Sequence, residues 1–292
     1  MLKFEFTDIT NQYAILTVIN SGRLSRQALE SIKYNINEIN FLIDDVGIMS
    51  CDKINIKNAI KSSDMLIIVA DLDDDNESQM AYTVCETSKH LEILTVVIGI
   101  MPLSFYDSNR HNIAYKNINK IRPLSDTLLL ITDEHSESNI GIQDIIKIKQ
   151  KMVSTAIFGV TEMIYSPGLI RVDFADVRAV LSGGNISFMG YGVAQGPNRE
   201  IHAGKQAISQ LLNNSTSDIF NILSDCTETG ILLTMKAGAD MKLIEFENIG
   251  NLVKELSHEN TTVVVGTVIE PDMDEMQVTV IVTKTGCLLE FV

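Results

Sequence analysis

The sequence predicts an α/β protein: a doubly wound, mostly parallel sheet, a long central helix, and an α+β unit in the C-terminal part. Three observations carry this. Short apolar strands alternate with helical patterns up to residue 131, the signature of a parallel sheet with helices on both faces. An unbroken helical period runs from 142 to 165. β-branched runs then cluster late, at 262–268 and 276–283. The domain plan is 1–141, the helix 142–165, a connecting loop 166–176, and 177–292.

The bulk numbers bound the function. The chain has 292 residues and is 45% apolar, enough for one large or two modest domains with a substantial core. Its formal net charge of −15 argues against nucleic acid or an anionic membrane surface as partner, since both need clustered Lys and Arg. No apolar run reaches the ~18 residues of a membrane span, and the N-terminus MLKFEFTDIT has no signal-peptide pattern. Cys51, Cys85, Cys226 and Cys287 are far apart and form no CxxC, which fits a reduced, cytoplasmic chain. The five histidines show no metal-ligand spacing, so no metal site is expected.

Taken in order, 13–19 (YAILTVI) is a strand that ends at Asn20-Ser21-Gly22, and a helical pattern follows from about residue 25. Strands are expected at 40–43 (NFLI), 65–70 (MLIIVA), 91–100 and 126–131 (DTLLLI). Between the third and fourth lies an acidic turn, 71–79 (DLDDDNESQ), with Asp71, Asp73, Asp74, Asp75 and Glu77. It reads as a solvated helix start, where negative charge suits the helix dipole. A DxDxD metal loop is a second reading. A calcium loop, however, wants Gly at position six and Glu at twelve, where this chain has Asn76 and Tyr82.

The helix 142–165 carries apolar residues at 145, 146, 152, 153, 156, 157, 160, 163 and 164, and its 24 residues span about 36 Å. Pro167 and Gly168 stop it. In the loop that follows, 166–178 (SPGLIRVDFADVR), Asp173 and Asp176 lie three apart around Phe174. One reading is a helix cap with a second acid in the first turn. The other is a pair of carboxylates that orients a water molecule. Beyond it, 244–259 shows i, i+3, i+4 apolar spacing, and the two late strands join through Pro271-Asp272.

The segment 166–178 resembles the synergy (T7) loop of FtsZ, the bacterial tubulin homologue, usually PGLxNVDFADVR. Further likenesses are MGYGVAQG (189–196) to MGTGVASG, AGADMKLIEF (237–246) to AGFDLRLDEF, and NTTVVVGTVIEPDM (260–273) to NATVVIGTSLDPDM. The resemblance spans about 13–286 and is strongest over 168–283. It implies the two-domain tubulin/FtsZ architecture, with a Rossmann-type nucleotide-binding-like domain, a central helix, the T7 loop and an FtsZ C-terminal-like domain. It also implies a GTPase site shared between stacked subunits. The loop at the bottom of one subunit reaches GTP on top of the next, and its acids polarise the attacking water. Asp173 and Asp176 match those acids; Phe174 and Arg178 match their neighbours at the interface, and Arg171 stands where the family has Asn.

The upper half departs from the family. The first phosphate loop, GVGGGGGNAV in FtsZ, reads NSGRLSRQAL here, and only Gly22 survives among its glycines. The second, GMGGGTGTG, is replaced by the acidic turn. A carboxylate about 5 Å from a phosphate charge costs roughly 3 kcal/mol at an effective dielectric near 20. Arg23 and Arg26 of the first loop should face that turn and could pair with its acids. The guanine-recognising Phe and Asn of the central helix correspond to Ile146 and Gln150. The segment between the second and third strands, 44–64, is short. These departures imply a degenerate GTP site, no bound cofactor and a non-enzymatic pseudo-GTPase. Such a chain would cap or modulate FtsZ filaments in cell division through its T7 face, supplying Asp173 and Asp176 only in trans. Alternatives are a divergent, self-polymerising GTPase and a scaffold outside filament assembly. The chain stops at Val292, so neither a direct membrane anchor nor the family's C-terminal anchor-binding peptide is expected.

Overall fold

A computed structural model describes residues 15–20, 39–42, 52–103, 106–132, 141–166, 168–170, 172–183, 185–213, 229–255 and 261–284. In chain order the described elements are β1 (Leu16–Asn20), β2 (Ile39–Leu42), α1 (Lys53–Ile60), β3 (Met65–Asp71), α2 (Asp75–Lys89), β4 (Leu94–Ile100), α3 (Ser108–Ile121) and β5 (Thr127–Ile131). Then come α4 (Ile142–Tyr165), α5 (Phe174–Leu181), β6 (Asn185–Ala194), α6 (Arg199–Asn213), β7 (Thr229–Ala237), α7 (Leu243–Lys254), β8 (Thr262–Ile269) and β9 (Met276–Lys284).

The strands form one nine-stranded sheet in the order β2-β1-β3-β4-β5-β6-β9-β7-β8. All pairs are parallel except those of β9 with β6 and β7. The fold class is therefore the expected one. The two halves join where β5 meets β6, over three register pairs from Thr127↔Asn185 to Leu129↔Ser187.

Alternation along the strands explains the layering. Leu66, Ile68 and Ala70 of β3 face one way and pack with Ile56 and Ile60 of α1, Ala81 and Val84 of α2, and Ile118 of α3. Met65, Ile67 and Val69 face the other way and pack with Val153, Ala156, Ile157 and Val160 of α4. Every residue of β3 and β4 is buried, as a strand covered on both faces requires. In the C-terminal half α6 approaches β6 at backbone distance. A Cβ on Gly190 or Gly192 would lie 1.9 Å from Ala207 O or 2.0 Å from Ala203 O.

Two boundaries differ from expectation for identifiable reasons. β4 begins at Leu94 rather than 91, because Glu92 takes φ 57° and a turn folds Leu91 and Ile93 back onto Ser88 O. The helix expected at 244–259 runs Leu243–Lys254, starting where Glu245 accepts from the Lys242 N–H at 2.7 Å. The helical pattern expected after residue 25 lies outside the described residues. Among the described residues no helix is long and apolar enough to cross a membrane.

Candidate functional site: two acidic ends of one strand

β3 runs from one end of the domain to the other, and its seven residues cover about 23 Å. Asp64 precedes it at the lower end. There the Arg178 guanidinium donates to Asp64 O at 3.3 Å and sits 5.2 Å from the centre of the Phe174 ring. This ties the start of α5 to the base of β3. Asp173 is the N-cap of α5 and accepts from Ala175 N at 3.4 Å; Asp176 lies in the first turn. Both are exposed, while Val172 beside them is buried. The cap reading therefore holds, and it leaves both carboxylates facing outward at the lower surface.

The loop before them is held by β8. The Ile170 N–H donates to Thr267 Oγ1 at 2.9 Å. Gly168 lies so close that a Cβ there would be 1.8 Å from Thr267 O. Leu169 and Ile170 remain exposed, at 62% and 37%. Arg171, the other residue expected at this interface, lies outside the described residues.

The upper end of β3 is the acidic turn. Asp74 caps α2, accepting from Asn76 N at 2.8 Å and Glu77 N at 3.2 Å, and Asp75 and Glu77 lie in the first turn. The helix-start reading of this turn is what the structure shows. Asn117 of α3 donates to Leu72 O at 3.1 Å and to Asp75 Oδ1 at 3.4 Å. Asp73 pairs with Arg110 at 3.1 Å, and that guanidinium lies 4.4 Å from the Tyr106 ring centre. Arg110 was not anticipated, because it comes from α3, 37 residues away. Gly22, Arg23 and Arg26 lie outside the described residues, so their expected place against the turn does too.

Asp71, 7% exposed, and the half-buried Glu77 share a hydrogen bond. Burial, then the Asp71 and Asp74 charges, push the Glu77 carboxyl up to about 8. Among the described residues no group of three His, Cys, Asp or Glu side chains could hold a metal ion.

The central helix α4 connects the two ends. Ile146 and Gln150 are both half-buried in its first turns. Between them Lys149 is buried at 1% exposure, donating to Met101 O at 2.7 Å and Pro102 O at 3.3 Å just after β4. Its position on the 145, 149, 152, 156 stripe was the available signal, a lysine in an otherwise apolar row. Towards the lower end, Thr234 Oγ1 donates to Gly159 O at 2.7 Å, and Lys236 Nζ pairs with Glu162 at 2.8 Å.

The comparisons with known proteins fit this geometry. The FtsZ family C-terminal domain matches residues 185–286. The cell division protein FtsZ of Buchnera aphidicola subsp. Acyrthosiphon pisum is 34% identical over 240 residues, 80% of this chain and 61% of that protein. The chain thus spans about three-fifths of that relative's length. Among solved structures, a mutant FtsZ of M. jannaschii superposes with TM-score 0.79 at 22% identity, covering 94% of this chain and 91% of that one. An empty FtsZ dimer from the same organism gives 0.75 at 23%, covering 97% and 95%. These relatives correct one expectation. The chain was expected to be a non-enzyme, yet the proteins it matches carry the plain name FtsZ, the family whose resemblance implied a GTPase site, and no described feature shows that site lost.

Proposed function

We propose that this chain is an FtsZ-like protein of the tubulin/FtsZ family and a cytoskeletal subunit of cell division. It engages a second FtsZ-like subunit head to tail through its lower face. There Asp173 and Asp176 reach the nucleotide of the neighbour and position the attacking water, so the chain contributes to GTP hydrolysis in trans. The observation that supports this best is the lower end itself. Two exposed carboxylates stand at the start of α5, and the loop that carries them is fixed by Thr267 on one side and by the Arg178–Asp64 contact on the other. Such a heterologous contact leaves the opposite end for another subunit. In this chain that end presents Asp73, Asp74 and Asp75. Growth beyond it is disfavoured, and the chain shortens the filaments it joins.

A second reading, a divergent GTPase that polymerises alone, is favoured by the FtsZ names of the relatives and by the solved FtsZ dimer. One experiment separates the two: light scattering and phosphate release of FtsZ from the same source, with and without substoichiometric amounts of this protein, beside this protein alone with GTP and Mg²⁺. Shortened filaments and altered turnover in the mixture support the first reading. Scattering by this protein alone supports the second. Unchanged mixed curves with no co-sedimentation overturn the first reading, and neither scattering nor phosphate release by this protein alone overturns the second.

A further inference from the structure

Between α4 and the C-terminal half of the sheet lies a cavity of about 240 Å³, lined by Thr155, Phe158, Tyr191 and Gln277 among others. Apolar packing between helix and sheet is therefore incomplete at this level. Polar contacts span the gap instead. Lys236 of β7 reaches Glu162 at 2.8 Å, with side chains only 22% and 15% exposed, and lies 3.6 Å from Glu270. One turn earlier Thr234 Oγ1 donates to Gly159 O. Gly159 itself leaves room for Thr279, whose Cγ2 would be 2.9 Å from a Cβ there.

We propose that Lys236 is a positioning residue for the 168–176 loop, acting through its ion pair with Glu162. Glu162 sits in the last turn of α4, and its carbonyl accepts from Ser166 N at 2.8 Å, the bond that closes the helix. The loop departs immediately afterwards. Lys236 pairs in register with Val268, and Thr267, which holds Ile170, is the next residue on β8. The two supports of the loop thus lie on adjacent strands, one residue apart in register, one fixing the helix end and the other the loop. A partly buried pair is screened far less than a surface one, so it can hold this spacing where packing does not. Glu162 left without its cation would draw away towards solvent and take the last turn of α4 with it.

The inference rests on the lower-face reading for its functional consequence, but not for its structural one. In the full-length chain, hydrogen exchange of the 166–176 amides should quicken at least tenfold in Lys236→Met and in Glu162→Gln, while the 65–71 strand stays unchanged. The double variant should equal the single ones, and Lys236→Arg should restore slow exchange. In the mixed assay, Lys236→Met should lower junction turnover about tenfold at unchanged docking affinity. Unchanged exchange at 166–176 in both single variants, or a rise equal to that of the 65–71 strand, would overturn the proposal. If the wild-type chain neither docks nor alters turnover, the lower-face reading fails, while exchange in the isolated chain still decides this one.

Discussion

Replacing Glu77 by Gln tests the chemistry of the acidic turn directly. In the folded chain this carboxyl is pushed from 4.5 up to about 8, first by burial, then by the charges of Asp71 and Asp74. Between those two pH values the folded state holds a proton that the unfolded state has released. Stability from this group is therefore fully present below about pH 4.5 and falls as pH rises, levelling off above about pH 8. Full linkage would be worth about 1.4 kcal/mol per pH unit, but Glu77 is half-buried, and solvent screening reduces the whole effect to about 1–2 kcal/mol. Gln keeps the shape, never ionises, and can donate its amide to Asp71. Its backbone N–H stays on the Asp74 cap.

Urea denaturation of wild type and Glu77→Gln across this range is the assay, with the midpoint read at constant slope. The variant should match wild type at the acid end and gain steadily, ending about 1–2 kcal/mol more stable at the alkaline end. Other carboxylates shape both curves alike, so the difference isolates Glu77. Parallel curves, or a variant less stable at the alkaline end, would refute the protonated Glu77–Asp71 pair.

Two further outcomes follow from the lower half. Asp176→Ala should leave stability within about 0.5 kcal/mol, since the residue is exposed and bears no cap. Co-sedimentation with a partner FtsZ should persist, while phosphate release at the mixed junction is lost. Gly168→Ala drives a Cβ into the Thr267 carbonyl, which backbone cannot yield cheaply. It should cost about 1–3 kcal/mol in a thermal or urea melt and lose the same junction turnover.

The legible part of the sequence was the part governed by period. α4 could be read as Ile142–Tyr165 because its apolar stripe is continuous and Pro167-Gly168 ends it. β3 showed as a short apolar run, and β8 and β9 as β-branched ones. At the lower site, the cap of Asp173 and the placement of Asp176 follow from local spacing alone. What stayed hidden needs distant residues. No local pattern pairs Asp73 with Arg110, Arg178 with the carbonyl of Asp64, or Glu162 with Lys236, which is 74 residues away. The registers of β7, β8 and β9 bring the last pair together, and register is a property of the assembled sheet. α1 and α3 were missed for a different reason. α1 has only 8 residues, α3 is largely polar, and their starts are marked by single caps, Asp52 and Asp107.

The two ends of β3 differ in what holds them, and this bears on how the chain can act. The lower end is fixed by a hydroxyl on a backbone amide, a guanidinium on a carbonyl, and an ion pair. Its carboxylates are in position before any partner arrives, which spares the ordering cost at binding. The upper end carries a carboxyl that changes charge near pH 8, beside an Asp71 almost wholly out of water. Lowering the pH from about 9 to 7 returns the proton to Glu77, at the other end of β3 from the T7 face, and so removes one negative charge from the upper end. Any contact made by the upper end with an anion, a nucleotide phosphate or the acidic lower face of another copy, should therefore strengthen over that interval. Docking through the lower face should not. Sedimentation of this protein alone and with FtsZ, at both pH values and with FtsZ self-assembly subtracted, separates the two. Equal pH dependence of both contacts would refute the assignment of Glu77 to the upper contact.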